Sequence, residues 1–187
     1  MKRFLSRICT NPIQHSLYLF ALTLAAACTQ SDTQNAPKHQ EIDYATAPVD
    51  LSSPSASAHA MMIAMYRGDA NLIDRVFVDG GTLNRAEADG QLQWDARKNW
   101  QNWVASLKIG QVHEEIFDLR VEQYGNLATV WAPFVITVNQ NIAGCGVNQL
   151  TMINQGTRTD PKWRIVTAID TQAPKESCAV FKETYQP

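Results

Sequence analysis

The sequence predicts an α+β domain in which about three helices precede a curved antiparallel sheet. Two observations carry that reading. Apolar residues recur at helical spacing in three segments before Gly110, and alternating segments separated by short turns run from Val112 to Thr171. Composition supplies a third: of 187 residues, 45% are apolar and 18% charged, enough for one buried core once the first fifty residues are discounted.

The amino terminus has the layout of an export signal. Lys2, Arg3 and Arg7 precede an eleven-residue apolar run from Leu17 to Ala27, whereas a membrane-spanning helix needs roughly twenty residues. Residues 1–27 are therefore expected to be a cleaved signal peptide. Ala25-Ala26-Ala27 before Cys28 resembles the lipobox of bacterial lipoproteins, in which the cysteine becomes the acylated first residue, although Ala25 stands where that motif usually has Leu. The same three alanines also satisfy ordinary A-x-A cleavage. Thr29, with no Asp at that position, resembles lipoproteins sent on to the outer membrane. The expectation is export to the periplasmic side of a bacterial envelope, held to the membrane by lipid on Cys28; the alternative is a soluble periplasmic or secreted protein.

Cys145 and Cys178 remain in the mature chain, where an oxidising compartment permits a disulfide and two buried thiols are the alternative. Loss of residues 1–27 leaves 13 basic against 18 acidic side chains, a formal charge of −5. Basic clusters are absent, so nucleic-acid binding lacks its electrostatic footprint.

Residues 28–51 are mostly small, polar or Pro and read as a flexible tether. The domain, residues 52–171, opens with Ser53-Pro54, a cap followed by Pro at the first helical position; Ala58, Met61, Met62, Met65 and Tyr66 then form one apolar face. Gly68-Asp69 stops that helix and caps a second containing Ile73, Val76 and Phe77. A turn at Gly80-Gly81 leads to a hairpin of Thr82 to Glu87 and Gln91 to Trp94, and Asp95 caps a third helix with the stripe Trp100, Trp103, Val104 and Leu107. Strands follow at Val112 to Gln123, Leu127 to Val138, Ile142 to Asn154 and Trp163 to Thr171, and their short connections make neighbours antiparallel. Residues 172–187 form a C-terminal tail of unassigned structure.

Several segments together resemble the nuclear transport factor 2-like superfamily, especially its small SnoaL-like and lumazine-binding-like bacterial members. Tyr66-Arg67-Gly68-Asp69-Ala70 is similar to the family's turn between its first two helices. The segment Gly125-Asn126-Leu127-Ala128-Thr129-Val130-Trp131-Ala132-Pro133-Phe134 is similar to its central hairpin, and Gly144-Cys145-Gly146-Val147-Asn148 with Trp163-Arg164-Ile165-Val166 to its last two strands. The resemblance implies a conical, barrel-like sheet packed on the helices, a pocket between them, and a homodimer formed through the open sheet face. It implies no single activity.

Alternation from Val112 puts His113, Glu115 and Phe117 on one face, read as inward, and Glu114 and Ile116 on the other. His113 is thus a candidate base, with Glu115 as its orienting partner, against the plainer reading of a rim pair in water. Asp170 lies near where enzymes of the superfamily place a catalytic acid or base, and strand-end Asp is also a common turn former. Asn148 is a candidate for polarising a carbonyl. Tyr66, Trp100, Trp103, Phe117, Trp131 and Phe134 are candidate pocket residues, with core packing as the alternative for each.

The sequence has no phosphate-binding Gly-rich loop, C-x-x-C, H-E-x-x-H or G-x-S-x-G, so no motif calls for a metal or cofactor. The leading expectation is a domain that binds a small apolar or aromatic ligand, or a partner protein, without catalysis. The alternative is a cofactor-free isomerase, dehydratase or cyclase.

Overall fold

The computed structural model describes residues 42–185. The signal segment 1–27, the lipidation candidate Cys28, the first part of the tether and residues 186–187 lie outside the described residues.

Helix α1 (Pro54–Arg67) begins where Ser53 Oγ accepts the Ala56 N–H at 3.1 Å, with Pro54 at the first helical position. It ends at Gly68, whose φ is +65°. A Cβ there would fall 2.6 Å from the Leu107 carbonyl oxygen, so backbone handedness and close packing both require glycine. Asp69 then caps α2 (Ala70–Val76), accepting the Leu72 N–H at 3.0 Å.

The single apolar face expected of α1 is in fact an almost complete apolar surround. Ala58, Ala60, Met61, Met62, Ile63, Ala64 and Met65 are all buried, as befits a helix enclosed by neighbours on most sides. Part of the enclosure comes from residues read as tether. Tyr44 is 4% exposed and meets His59 and Tyr66 edge to face. Arg67 donates to the carbonyls of Tyr44 and Ala47 at 2.9 and 2.5 Å, and the Trp163 N–H donates to the Leu51 carbonyl at 2.8 Å. Residues 42–51 are therefore a packed part of the domain, and the expected boundary at residue 52 falls too late. Ile42, Tyr44, Ala47, Val49 and Leu51 of this segment all pack on the core, beside the carbonyl contacts to Arg67.

Strand β1 (Phe77–Ala86) starts immediately after α2, so Phe77 belongs to the sheet rather than to the second helix. The Gly80-Gly81 turn is instead an irregularity within β1, whose register against its partner shifts between Phe77 and Thr82. The hairpin survives as a short pairing with β2 (Leu92–Gln93). Helix α3 (Arg97–Val104) follows, capped by Ala96 without a side-chain bond. Asp95, expected as the cap, has φ +47° and gives its N–H to Asn84 Oδ1 at 2.9 Å. Gln101 ties α3 to α2 through the Ala70 carbonyl and Asp74, each at 2.9 Å.

The expected strand Val112 to Gln123 is two strands, β3 (Val112–Ile116) and β4 (Arg120–Tyr124), broken at Asp118 with φ +45°. Both pair with β5 (Leu127–Val138), β3 along its second half and β4 along its first. β5 runs antiparallel to β6 (Asn141–Asn154) and β6 to β7 (Trp163–Gln172). β7 then pairs in parallel with β1. The sheet is thus mixed, in the order β2-β1-β7-β6-β5-β3 with β4 also on β5, and it is curved and unclosed. Short turns could report only antiparallel neighbours; the β1 to β7 contact joins strands far apart in sequence. Register shifts within β1/β7, β5/β6 and β6/β7 supply bends. The concave face carries the core, which includes Phe77, Val130, Ala132, Phe134, Leu150, Met152, Ile165 and Ala168.

The C-terminal tail is ordered across the outer face. A 3-10 helix (Lys175–Val180) leads into α4 (Phe181–Thr184), and a disulfide joins Cys178 to Cys145 on β6. Phe181 and Tyr185 pack edgewise on Phe117. The Trp131 Nε1 proton goes to the Tyr185 hydroxyl at 2.6 Å, and Lys182 pairs with Glu115 at 2.6 Å. The crosslink spans 33 positions, and closing a loop of that size restricts the unfolded chain enough to add about 2–4 kcal/mol. Reduction should lower the unfolding free energy of the native protein by about that amount, and should leave the Cys145→Ala/Cys178→Ala double variant unchanged. Denaturant melts with and without a thiol reductant measure both; equal curves for the native protein would remove the crosslink from the stability account.

Candidate functional site

Between α1, α3 and the concave sheet lies a cavity of about 370 Å³, at the small end of ligand-site sizes. Met61, Met62 and Met65 of α1 and Trp100 and Trp103 of α3 form its apolar side, with Leu83 and Ile136 on the sheet. The polar side is built from four strands: Arg85 on β1, Asp170 on β7, Asn148 on β6 and Glu114 on β3.

Strand pairing dictates this grouping. Arg85 lies opposite Asp170 in the parallel β1/β7 register, and Asp170 lies opposite Asn148 in the antiparallel β6/β7 register. Arg85 clamps Asp170 with Nη2 at 2.5 Å and Nε at 3.0 and 3.1 Å from its two carboxylate oxygens. The bonds to Asp170 raise the guanidinium pKa. Asn148, 4% exposed, donates from Nδ2 to Glu114 Oε1 at 2.7 Å.

Glu114 is the electrostatic exception. It lies deep in the protein and keeps accessible surface where it lines the cavity. Its hydrogen-bond partner is a neutral amide, and the nearby cation, Arg85, is occupied by Asp170. Desolvation, reinforced by the Asp170 charge, pushes its pKa up to about 7, against the opposing effects of Asn148 and Arg85. At neutral pH the cavity therefore holds a carboxyl group poised between its two forms.

Asp170, Asn148, Trp100 and Trp103 line the cavity. Six other candidates do not. His113 packs edgewise between Tyr44 and Tyr66 instead, which accounts for Tyr66 as well. Phe117 is buried beneath the C-terminal segment, Trp131 lies on the outer face, and Phe134 is core. Glu115, expected beside His113, pairs with Lys182.

The cause is an inverted face assignment on β3. Simple alternation makes Phe117 an inward residue, but β3 ends at Ile116 and Phe117 is buried outside by the tail. Val112 and Ile116, both 1% exposed, mark the true inner face, with Glu114 midway between them. That flanking pair was the available signal for Glu114. Arg85 alternates with Leu83 in the same way, yet nothing local pointed to its partner on β7. Among the described residues no three His, Cys, Asp or Glu side chains converge as a metal centre would require.

No family model and no curated protein matches the chain. Solved structures do. A candidate dehydratase from Streptomyces avermitilis, described as a member of the nuclear transport factor 2-like family, aligns with TM-score 0.51 and 14% identity over 67% of this chain and 96% of its own. A single-site variant of a Mycobacterium tuberculosis protein of unknown function aligns with TM-score 0.50 and 20% identity over 64% and 73%. A candidate calcium/calmodulin-dependent protein kinase type II association domain from Thiobacillus denitrificans aligns with TM-score 0.50 and 9% identity over 68% and 100%. The fold is nuclear transport factor 2-like. At these identities the likeness extends to the fold alone.

The raised pKa fixes a sign for stability. Between the ordinary carboxylate pKa near 4.5 and the folded value of about 7, the native state holds a proton that the unfolded chain has lost. Stability contributed by Glu114 is therefore greatest below pH 4.5 and falls as pH rises to about 7, by up to about 3 kcal/mol. Replacing Glu114 with Gln, which keeps an acceptor for Asn148, should flatten that fall and make the variant the more stable protein at pH 8. Urea titrations at pH 5 and pH 8 test this; a variant that loses stability equally at both values would mean Glu114 is not the titrating group.

Proposed function

We propose that the cavity is a binding site for a small, mainly apolar or aromatic molecule bearing one polar group, and that the domain works on the periplasmic side of a bacterial envelope. The observation that carries the reading is the division of the cavity wall. Two indoles and three thioethers face a strip of four polar side chains, two of which neutralise each other. Apolar and aromatic walls joined to convergent polar groups are a usual form of a small-molecule site, and here the two kinds of wall are of similar extent. Met side chains adapt to varied ligand shapes, which suits a site without rigid specificity.

Export and lipid anchoring rest on the charged, apolar and small-residue sequence of 1–28. Incorporation of a radiolabelled fatty acid, abolished by Cys28→Ser, is the corresponding test. Homodimerisation is supported by Tyr124, Leu127 and Trp131, which stand exposed on the outer sheet face. Light scattering that finds a monomer across the accessible concentration range would remove it.

A second reading, a cofactor-free isomerase or dehydratase, is favoured by one specific feature: the cavity wall holds a carboxyl, Glu114, whose pKa burial pushes up to about 7. The fold likeness to a candidate dehydratase accords with it. In this reading Glu114, rather than His113, takes and returns the proton, and Asp170 serves to hold Arg85.

Trp103 is 41% exposed and lines the cavity, so ligand entry should quench its fluorescence. Titration of the purified protein with a panel of one- and two-ring aromatic compounds should give saturable binding that weakens at least fivefold in Trp103→Ala. No saturable binding across the panel would overturn the small-molecule reading.

A further inference from the structure

Resting on the reading of the cavity as a small-molecule site, we infer that its ligand carries one cationic nitrogen: a protonated amine or a quaternary ammonium attached to an apolar or aromatic body. Three features of the wall support this class.

The first is the allocation of polar bonds. Both carboxylate oxygens of Asp170 receive Arg85, and Arg85 in turn spends Nε and Nη2 on Asp170. That pair is satisfied internally. Glu114 receives one bond, from Asn148 to Oε1. Its charged form therefore lacks a committed counter-cation, and a cation brought by the ligand would supply one.

The second is the charge inventory around Glu114. Arg85 on β1 and Asp170 on β7 are the charged groups that line the cavity with it, while α1 contributes Met61, Met62 and Met65 and α3 contributes Asn99, Trp100 and Trp103. The lining sums to zero with Glu114 protonated and to −1 with it ionised. An anionic ligand meets a guanidinium whose charge Asp170 already offsets, and a lining with no net positive charge. A cationic ligand restores neutrality once Glu114 gives up its proton.

The third is the aromatic wall. Electron-rich indole faces attract cations, and aromatic side chains beside a carboxylate are a recurring arrangement for ammonium groups. The protein's own cations over rings lie elsewhere among the described residues: Arg97 over Phe77, Arg120 over Trp131 and Lys182 over Phe117. Trp100 and Trp103, the two indoles of the cavity, are available to a ligand.

Binding would then couple to a proton. At pH 6 most Glu114 is protonated, and an entering ammonium displaces that proton to solvent; at pH 8 the carboxylate is already formed. Affinity for a cation should rise by about tenfold between these values, whereas affinity for a neutral hydrogen-bond acceptor should fall.

The test uses phenethylamine, its N,N,N-trimethyl derivative, phenethyl alcohol and 3-phenylpropanoate with the purified full chain in isothermal titration calorimetry. The expected result is a preference of at least tenfold for the two cations over the alcohol and the acid. Proton release on binding the quaternary ion should appear as a dependence of heat on buffer ionisation enthalpy at pH 6. Glu114→Gln should abolish both the preference and its rise with pH; Glu122→Gln, exposed on β4, should change neither. The native pH profile stands in if Glu114→Gln fails to fold. Binding of the alcohol or acid with no preference for the cations would overturn the inference and leave the small-molecule site standing. No binding by any of the four, repeated across the wider aromatic panel, would overturn both.

Discussion

The parallel pairing of β1 with β7 is the constraint on which the site depends. It brings Arg85 beside Asp170, and the antiparallel β6/β7 register then brings Asn148 alongside. Without that one parallel contact the concave face would hold Asp170 and Glu114 with no cation in the lining. Two carboxylates facing a low-dielectric cavity cannot both ionise cheaply. Arg85 resolves the conflict for Asp170 and leaves Glu114 to carry the residual cost.

That cost is tolerable because the rest of the concave face is apolar and well packed. Phe77, Leu150, Met152, Ile165 and Val130 beneath α1 and α2 are at most 0–1% exposed, and each such buried side chain contributes about 1.5–3 kcal/mol. One poorly matched carboxyl is thus affordable in a core of this size. Binding sites are commonly where a fold keeps a group that stability alone would not select.

The helices and most strands were legible in the sequence because their signals are local. Ser53-Pro54, Gly68 and Asp69 mark helix ends by their own caps, and alternation marks β5 to β7. Trp100 and Trp103 were legible as candidates from helical spacing, and Asp170 from the family resemblance rather than from a local signal. What was not legible depends on contacts between distant segments. Phe117 looks like an inward marker until the tail, sixty positions on, is seen to cover it, and that single inversion exchanged Glu114 for His113. Arg85 has no local signature at all. Its role follows from a register that joins the first strand to the last. The packed segment 42–51 escaped for a related reason: its apolar side chains and its carbonyls are fixed by distant parts of the chain, as Arg67 fixes Tyr44 and Ala47.

Strand β3 links the two faces of the sheet. Among the described residues it is an edge strand, paired only with β5, and its other side lacks the second ladder that holds a central strand. Its inner face presents Glu114 to the cavity; its outer face sends Glu115 to Lys182, and Phe117 just beyond it lies under Phe181 and Tyr185. The tail that makes these outer contacts is itself anchored to β6 through Cys145 and Cys178. β6 also carries Asn148, three positions from Cys145, which holds Glu114 from within. One strand therefore restrains β3 from both sides, by a side-chain bond inside and by a crosslinked brace outside. An edge strand that must place a single carboxyl at a fixed point in a cavity needs such support, because each contact alone is worth only about 1 kcal/mol. The disulfide-held tail is in this sense part of the apparatus that positions Glu114, although no atom of it lines the cavity.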